Sequence, residues 1–476
     1  MSIVKERLVR LAVLVALGGA GAGAVVWQTH KSEQDKKDED AQKKVLRFSD
    51  AKSARELVLT TPTGSYTVVR EGSASGKDTW TLTAPRRVPA EDSTVQGILD
   101  ALSELKRTAV VGEKSGAAID KKLLGLDPPR FTVTLTDSQG QKETLFAGER
   151  NTFDGSVFVQ REGDAAVGVV AGALEYQLDK DLFKLRDKRL VPFESEQVSR
   201  VAVRVDGKPR YSFDKNGETY ALLAPKRVAG DSVQLGALLS ALASTSASAF
   251  VTEEASAADV KKYGLEKPKV EIDIALTTGT PKTVLVGELD AKSKKTYYAM
   301  VEGRGPIVEL SSNWVIEKLV VDPDTLRDKH VLVFARDDVG ALRVKSGDKT
   351  LAFKRTADSG ADQWAMTEPE AAKAQDAVLT GLLYRLWNLK ARRILSESAA
   401  DADKKARGLT TPAMSVELTK KDGTPLGTMF FGAVDGEEQF VATSAGPRLD
   451  VIEASAAKDI AVEPAAYKEA DPTAKK

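Results

Sequence analysis

The chain has no cysteine and only two histidines in 476 residues. Without thiols, a disulfide, a thiolate nucleophile and a zinc–sulfur site are excluded. Aromatic residues make up 6%, and Lys plus Arg equals Asp plus Glu at 69 each. There is thus no net basic field and no interleaving of aromatic and basic residues, which excludes nucleic acid as a partner. A Gly-x-Ser-x-Gly elbow, a phosphate loop ending in Gly-Lys-Ser or Gly-Lys-Thr, and calcium-loop spacing are also missing. The carboxylate pairs Asp322-Pro323-Asp324 and Asp337-Asp338 stand in predicted loops. They read as turn chemistry rather than a general acid and base. No residue is assigned a catalytic, cofactor-binding or metal-binding role, and no cofactor is expected.

What the chain does have is one pattern written three times. A strand closes at Pro85, Pro225 and Pro369, about 140 residues apart in each case. Each proline precedes apolar positions at i, i+3, i+4 and i+7. These are Val95, Ile98, Leu99 and Leu102, then Leu235, Leu238, Leu239 and Leu242, then Leu379, Leu382, Leu383 and Leu386. That spacing buries one stripe of a helix and leaves the other face wet. Asp92 or Ser93, and Asp231 or Ser232, are natural N-caps, while Gln375 and Asp376 give a weaker start. A second, shorter helix is expected to stop at Gly125, Gly264 and Gly408, each followed by Leu, two residues and Pro. Glycine accepts the positive φ of a left-handed cap, and proline blocks further helix. Strict alternation follows at Phe131, Val133 and Leu135, at Val270, Ile272 and Ile274, and at Met414, Val416 and Leu418. This is the period of a half-buried strand.

The N-terminus differs in kind. Lys5, Arg7 and Arg10 flank an apolar run over 8–27 that ends in Trp27. About twenty helical residues span roughly 30 Å, enough for a bilayer core. The flanking charge places 1–7 in the cytoplasm and the remainder outside. Ala22-Gly23-Ala24 leaves open a cleaved signal peptide, and Gly19 and Gly23 allow close helix approach. Residues 28–44, with His30, are charged or polar and read as a solvated spacer.

Three tandem domains follow, over 45–190, 191–330 and 331–466, with a polar tail over 467–476. The first and second domains close on Leu-Arg-Asp-Lys, at Leu185–Lys188 and Leu326–Lys329. Arg186-Asp187-Lys188 marks a junction and reads as a solvated or locally paired helix end. His330 takes the place of Arg189 and reads as a variable seam residue. The third copy lacks this tetrapeptide and carries Tyr384 and Trp387 on its long helix, as extra packing or a partner-facing surface. The expected fold class is α+β: three tandem repeats, each an antiparallel sheet packed against an amphipathic helix, behind one N-terminal transmembrane helix.

The Trp-x-Leu-x-x-Pro and Gly-Leu-x-x-Pro signatures resemble those of the bacterial domain-of-unknown-function family 4340. The stretches Trp80 to Lys188 and Tyr220 to Lys329 carry them well, and Trp364 to Pro412 diverges, with Glu368 before the proline. The resemblance implies an envelope protein encoded beside gliding-motility-type ABC transporter components. It transfers no catalytic residue. The expected function is a non-enzymatic periplasmic scaffold or accessory protein on the cytoplasmic membrane. Its expected partners are the lipid bilayer, through residues 8–27, and a membrane complex such as ABC transporter subunits. A module binding a cell-wall or surface polymer is the alternative, and an enzyme of unknown chemistry the third.

Overall fold

The computed structural model describes residues 43–47, 51–72, 78–111, 119–290, 293–303, 305–311, 314–358 and 361–469. Strands account for 43% of the structure and helices for 21%. The expected α+β class is therefore corrected: the protein is mostly β, built on three nine-stranded antiparallel sheets. The expected transmembrane helix over 8–27 lies outside the described residues, as do the spacer up to residue 42 and His30. Among the described residues no helix is long and apolar enough to cross a membrane.

The first sheet is formed by β1 (Glu56–Thr61), β2 (Gly64–Glu71), β3 (Thr79–Ala84), β4 (Val88–Pro89), β5 (Ala109–Val111), β6 (Phe131–Thr136), β7 (Lys142–Arg150), β8 (Val157–Arg161) and β9 (Val167–Val170). Its order is β4-β3-β2-β1-β6-β7-β8-β9-β5, two meanders joined where β1 pairs β6. The other two sheets repeat this order over 198–310 and 339–453. Alternation sets the faces. Leu57 pairs Leu135 and Leu59 pairs Val133, so their side chains point to one side of the sheet and are buried there.

The long helices α1 (Asp92–Ser103), α2 (Ser232–Ser244) and α3 (Asp376–Trp387) connect the two edges of each sheet and lay their apolar stripes on that buried face. Each unit thus has one main apolar core, and smaller clusters around Leu409 and Leu265 accompany it in the third and second units. All three start at the expected positions, but only α2 has the capping bond: Asp231 accepts the amides of Val233 and Gln234. In the flanking units, Asp92 and Asp376 instead accept the backbone N–H of Trp80 and Trp364, at 2.9 and 2.7 Å. These carboxylates tie helix to strand, which explains the fixed interval between tryptophan and aspartate.

Two further expectations change. The short helix before the cap glycine forms at Ala257–Lys262 and Asp401–Ala406, whereas Asp120–Gly125 in the first unit makes only turns over its described part. The helix end expected at Arg186 closes only a four-residue piece, Leu182–Leu185, which Asp181 caps and which is separate from the helix Ala173–Leu178.

Candidate functional site

Several of the chain's buried charges, among them Arg186, Arg327 and Asp450, stand where one unit meets the next. The polypeptide leaves each of the first two sheets as an extended strap whose halves bond to different units. Leu185 O accepts the amide of Glu91, and Asp187 N–H donates to Pro89 O, both at 2.9 Å. Immediately beyond, Lys188 O accepts from Ala247 at 2.7 Å and Leu190 N–H donates to Thr245 O at 2.8 Å. The second junction repeats all four bonds. Leu326 and Asp328 bond back to Asp231 and Ala229, and Lys329 and Val331 bond forward to Ala391 and Leu389, at 2.7–2.9 Å.

Each strap carries a buried arginine. Arg186, 5% exposed, donates through Nη1 to both carboxylate oxygens of Glu253 at 2.8 and 3.0 Å. Its guanidinium lies 3.3 Å from the ring centroid of Phe250, which also meets Phe183 edge-on at 6.0 Å. Arg86 approaches the same carboxylate at 3.8 Å. Stacking desolvates one face of the cation and the carboxylate answers its charge. Arg327, 9% exposed, repeats the arrangement with Glu397 at 2.5 Å and Asp324 at 3.3 Å. In both arginines the Nε–H finds no acceptor among the described residues. The junction that the sequence suggested was a solvated or local helix end is thus a buried ion pair between units. Nothing in local spacing announced it, since Arg186 and Glu253 are 67 residues apart.

The second seam adds groups the first lacks. Asp450, 1% exposed, sits where the preceding unit has Val308 in the equivalent strand pairing. Burial pushes its carboxyl above the ordinary aspartate range, although Arg448 at 2.7 Å draws it back. One of its oxygens has no partner among the described residues. Arg448 also donates to the backbone O of His330 at 2.6 Å. Lys390 bridges to Asp231 of the preceding unit at 3.0 Å. Burial pushes the Asp231 carboxyl up, but the Gln234 amide, Lys390 and the Val233 amide together hold it below its usual value.

The residues whose types suggested chemistry fall into place around these seams. His330 Nδ1 lies 2.5 Å from Asp328 Oδ1, and its ring centroid is 6.2 Å from that of Trp387. Asp322 caps the turn Pro323–Leu326, and Asp324 takes Arg327 and Lys329. Asp338 faces Lys420 at 3.6 Å, away from that cluster. Among the described residues no three His, Asp or Glu side chains are grouped to hold a metal ion.

The third unit closes differently. Tyr467, assigned to a polar tail on sequence, is 1% exposed and its backbone O accepts from Gln375 at 2.7 Å. It takes the place of Leu185 and Leu326, so the folded third unit runs to Glu469. Lys468 stands where the others have arginine, and it pairs with Glu370 of its own unit, while Glu469 pairs with Lys373 at 3.1 Å. The last strap therefore satisfies its charges locally.

Residues 80–268, 222–363 and 364–472 match the family described as Domain of unknown function (DUF4340). The chain belongs to the DUF4340 family. No curated protein matches it. The matched segments are out of step with the folded units, since each begins near the third strand of one sheet. Two of the three DUF4340 segments consequently contain a whole strap, with Arg186 or Arg327 inside.

Proposed function

We propose that this DUF4340 protein is a non-enzymatic scaffold of the bacterial cell envelope. Most of its chain would lie on the periplasmic side of the cytoplasmic membrane, holding a membrane complex of the gliding-motility ABC transporter type. The observation that carries the reading is the pair of seams, where the buried Arg186 and Arg327 pair with carboxylates of the next unit. A row of units held in fixed relation suits a part that sets distances between partners. The basic flank and apolar run at the N-terminus support a membrane location. The test is copurification of ABC transporter membrane subunits with the full-length protein from gently solubilised membranes. Capture that survives in wild type and is lost when both seams are broken supports the scaffold. Failure to capture any transporter subunit sinks it.

One observation favours a second reading, a module that binds a surface polymer. The first unit has an open groove of about 460 Å³, lined by Arg47, Lys142, Glu143 and Arg161 among others. Arg161 is 8% exposed and pairs with Asp164 at 2.6 Å, where the second unit has Val301. Retention of the protein on cell-wall glycan, lost with Arg161→Val, would support that reading.

A further inference from the structure

The three units are internal controls for one another, and α3 departs from α1 and α2 on its outer face. Gly381, Tyr384 and Trp387 of α3 occupy the helix positions of Gly97, Asp100 and Ser103 in α1. On α1 that face is partly covered. A Cβ at Gly97 would meet Gln177 of the helix Ala173–Leu178 at 3.4 Å, and Asp100 pairs with Lys52 at 3.1 Å. On α3 a Cβ at Gly381 would meet nothing within 4 Å. The flanking helix of the third unit, Ala454–Lys458, is a run of small residues that leaves the face open. Tyr384 is 50% and Trp387 37% exposed, and Val333, close by in sequence to both His330 and Arg336, is 74% exposed. The fold does not need these rings, because the other two units close the same core with Asp100 and Ser103, or Ser240 and Ala243. Arg336 lies over both rings, 5.4 and 5.1 Å from their centroids, and no carboxylate pairs with it among the described residues.

We propose that this face of α3 is the contact with a second copy of the same chain, the two helices packing antiparallel about a two-fold axis between Thr380 and Gly381. The face is self-complementary in size. Its N-terminal half is small, with Ala377, Thr380 and Gly381, and its C-terminal half is large, with Tyr384 and Trp387. An antiparallel pair sets large on small twice, as an isologous contact requires. Tyr384 covers Ala377 of the other copy. Trp387 covers the start of the other helix, where Asp376 offers Arg336 the carboxylate it lacks at home. Tryptophan, tyrosine and arginine are the residue types enriched in interface hot spots.

The absence of native cysteine makes the test clean. In the full-length protein in nanodiscs, Thr380→Cys as the sole thiol lies at the axis, where mild oxidation joins two copies. Phe153→Cys, at a residue 96% exposed on the first unit, is the control and should stay uncrosslinked. Tyr384→Asp with Trp387→Ser transplants the first unit's residues, so folding is preserved. It should cut the crosslink about tenfold and halve the protein mass measured by sedimentation. Any of three results overturns the proposal. These are a monomeric wild type at about 50 µM, equal crosslinking at 380 and 153, or a dimer that survives the double substitution through its N-terminal segment.

Discussion

Arg186 and Arg327 show what a buried cation does at a joint. Each is desolvated by its surroundings and answered by one carboxylate across the seam. Removing one member of a buried pair strands the other, at about 3–5 kcal/mol. Glu253 keeps 30% exposure, so water can recover part of its charge. Arg186→Ala should therefore lower stability by about 2–3 kcal/mol. In a double-mutant cycle with Glu253→Ala, denaturant unfolding should give a coupling of about 1–3 kcal/mol, and additivity would refute the clasp. Asp450 gives the opposite kind of prediction. Its folded carboxyl titrates above its unfolded value because burial disfavours the charge. The folded state thus holds the proton more tightly, so stability is greatest below the unfolded value near 3.8 and is lost as pH rises through the folded one. Asp450→Asn should flatten that fall and raise the denaturant midpoint at pH 8 relative to wild type. A variant with unchanged pH dependence would show that Arg448 already compensates the charge fully.

Among the elements, the repeat glycines act in pairs. Gly125, Gly264 and Gly408 adopt φ of 65°, 70° and 70° and cap the turn. Opposite each stands the glycine in the facing strand. A Cβ at Gly148 would collide with the backbone O of Leu124, and one at Gly287 would lie 2.6 Å from Tyr263 O. The turn is hydrogen-bonded into this gap, with Glu149 N–H on Leu124 O at 2.9 Å. Gly148→Ala must push a backbone segment aside, whereas Gly140→Ala meets open space and only the strain of its φ of 79°. Thermal unfolding should show Gly140→Ala costing about 1–2 kcal/mol and Gly148→Ala distinctly more. Equal losses would mean the turn yields freely. This local chemistry was legible in the sequence, as were the helix stripes and the alternating strands, because each depends on neighbours in the chain. The two- to four-residue strands β4, β5 and β9 are too short to show a period, and they complete the nine-stranded sheet. Missing them made the sheet look small beside its helix and turned a mostly β protein into an α+β expectation. Tyr467 is hidden in the sequence for a related reason: its strap keeps the two backward backbone bonds of the others but shares none of their Leu-Arg-Asp-Lys.

At the scale of the molecule, three cores of similar design are linked by straps that belong equally to both neighbours. In such a chain, stability is the sum of each unit and its nearest-neighbour contacts. The strap makes four backbone bonds within six residues, two to each side, and positions the arginine that closes the seam. Lengthening it should therefore break the coupling without touching any core. Inserting Gly-Gly-Ser between Asp187 and Lys188 leaves the bonds of Leu185 and Asp187 to the first unit, and those of Lys188 and Leu190 to the second, free to form. It removes the constraint that aligns them and lets Arg186 drift from Glu253. Calorimetry of the insertion variant should resolve the first unit as a separate transition below its position in wild type. Hydrogen exchange at Asp187, Leu190 and Ala247 should speed up while the amides of β1 and β6 stay protected. If the units unfold at unchanged temperatures and those three amides remain slow, the seams are contacts of convenience and the three units are independent beads.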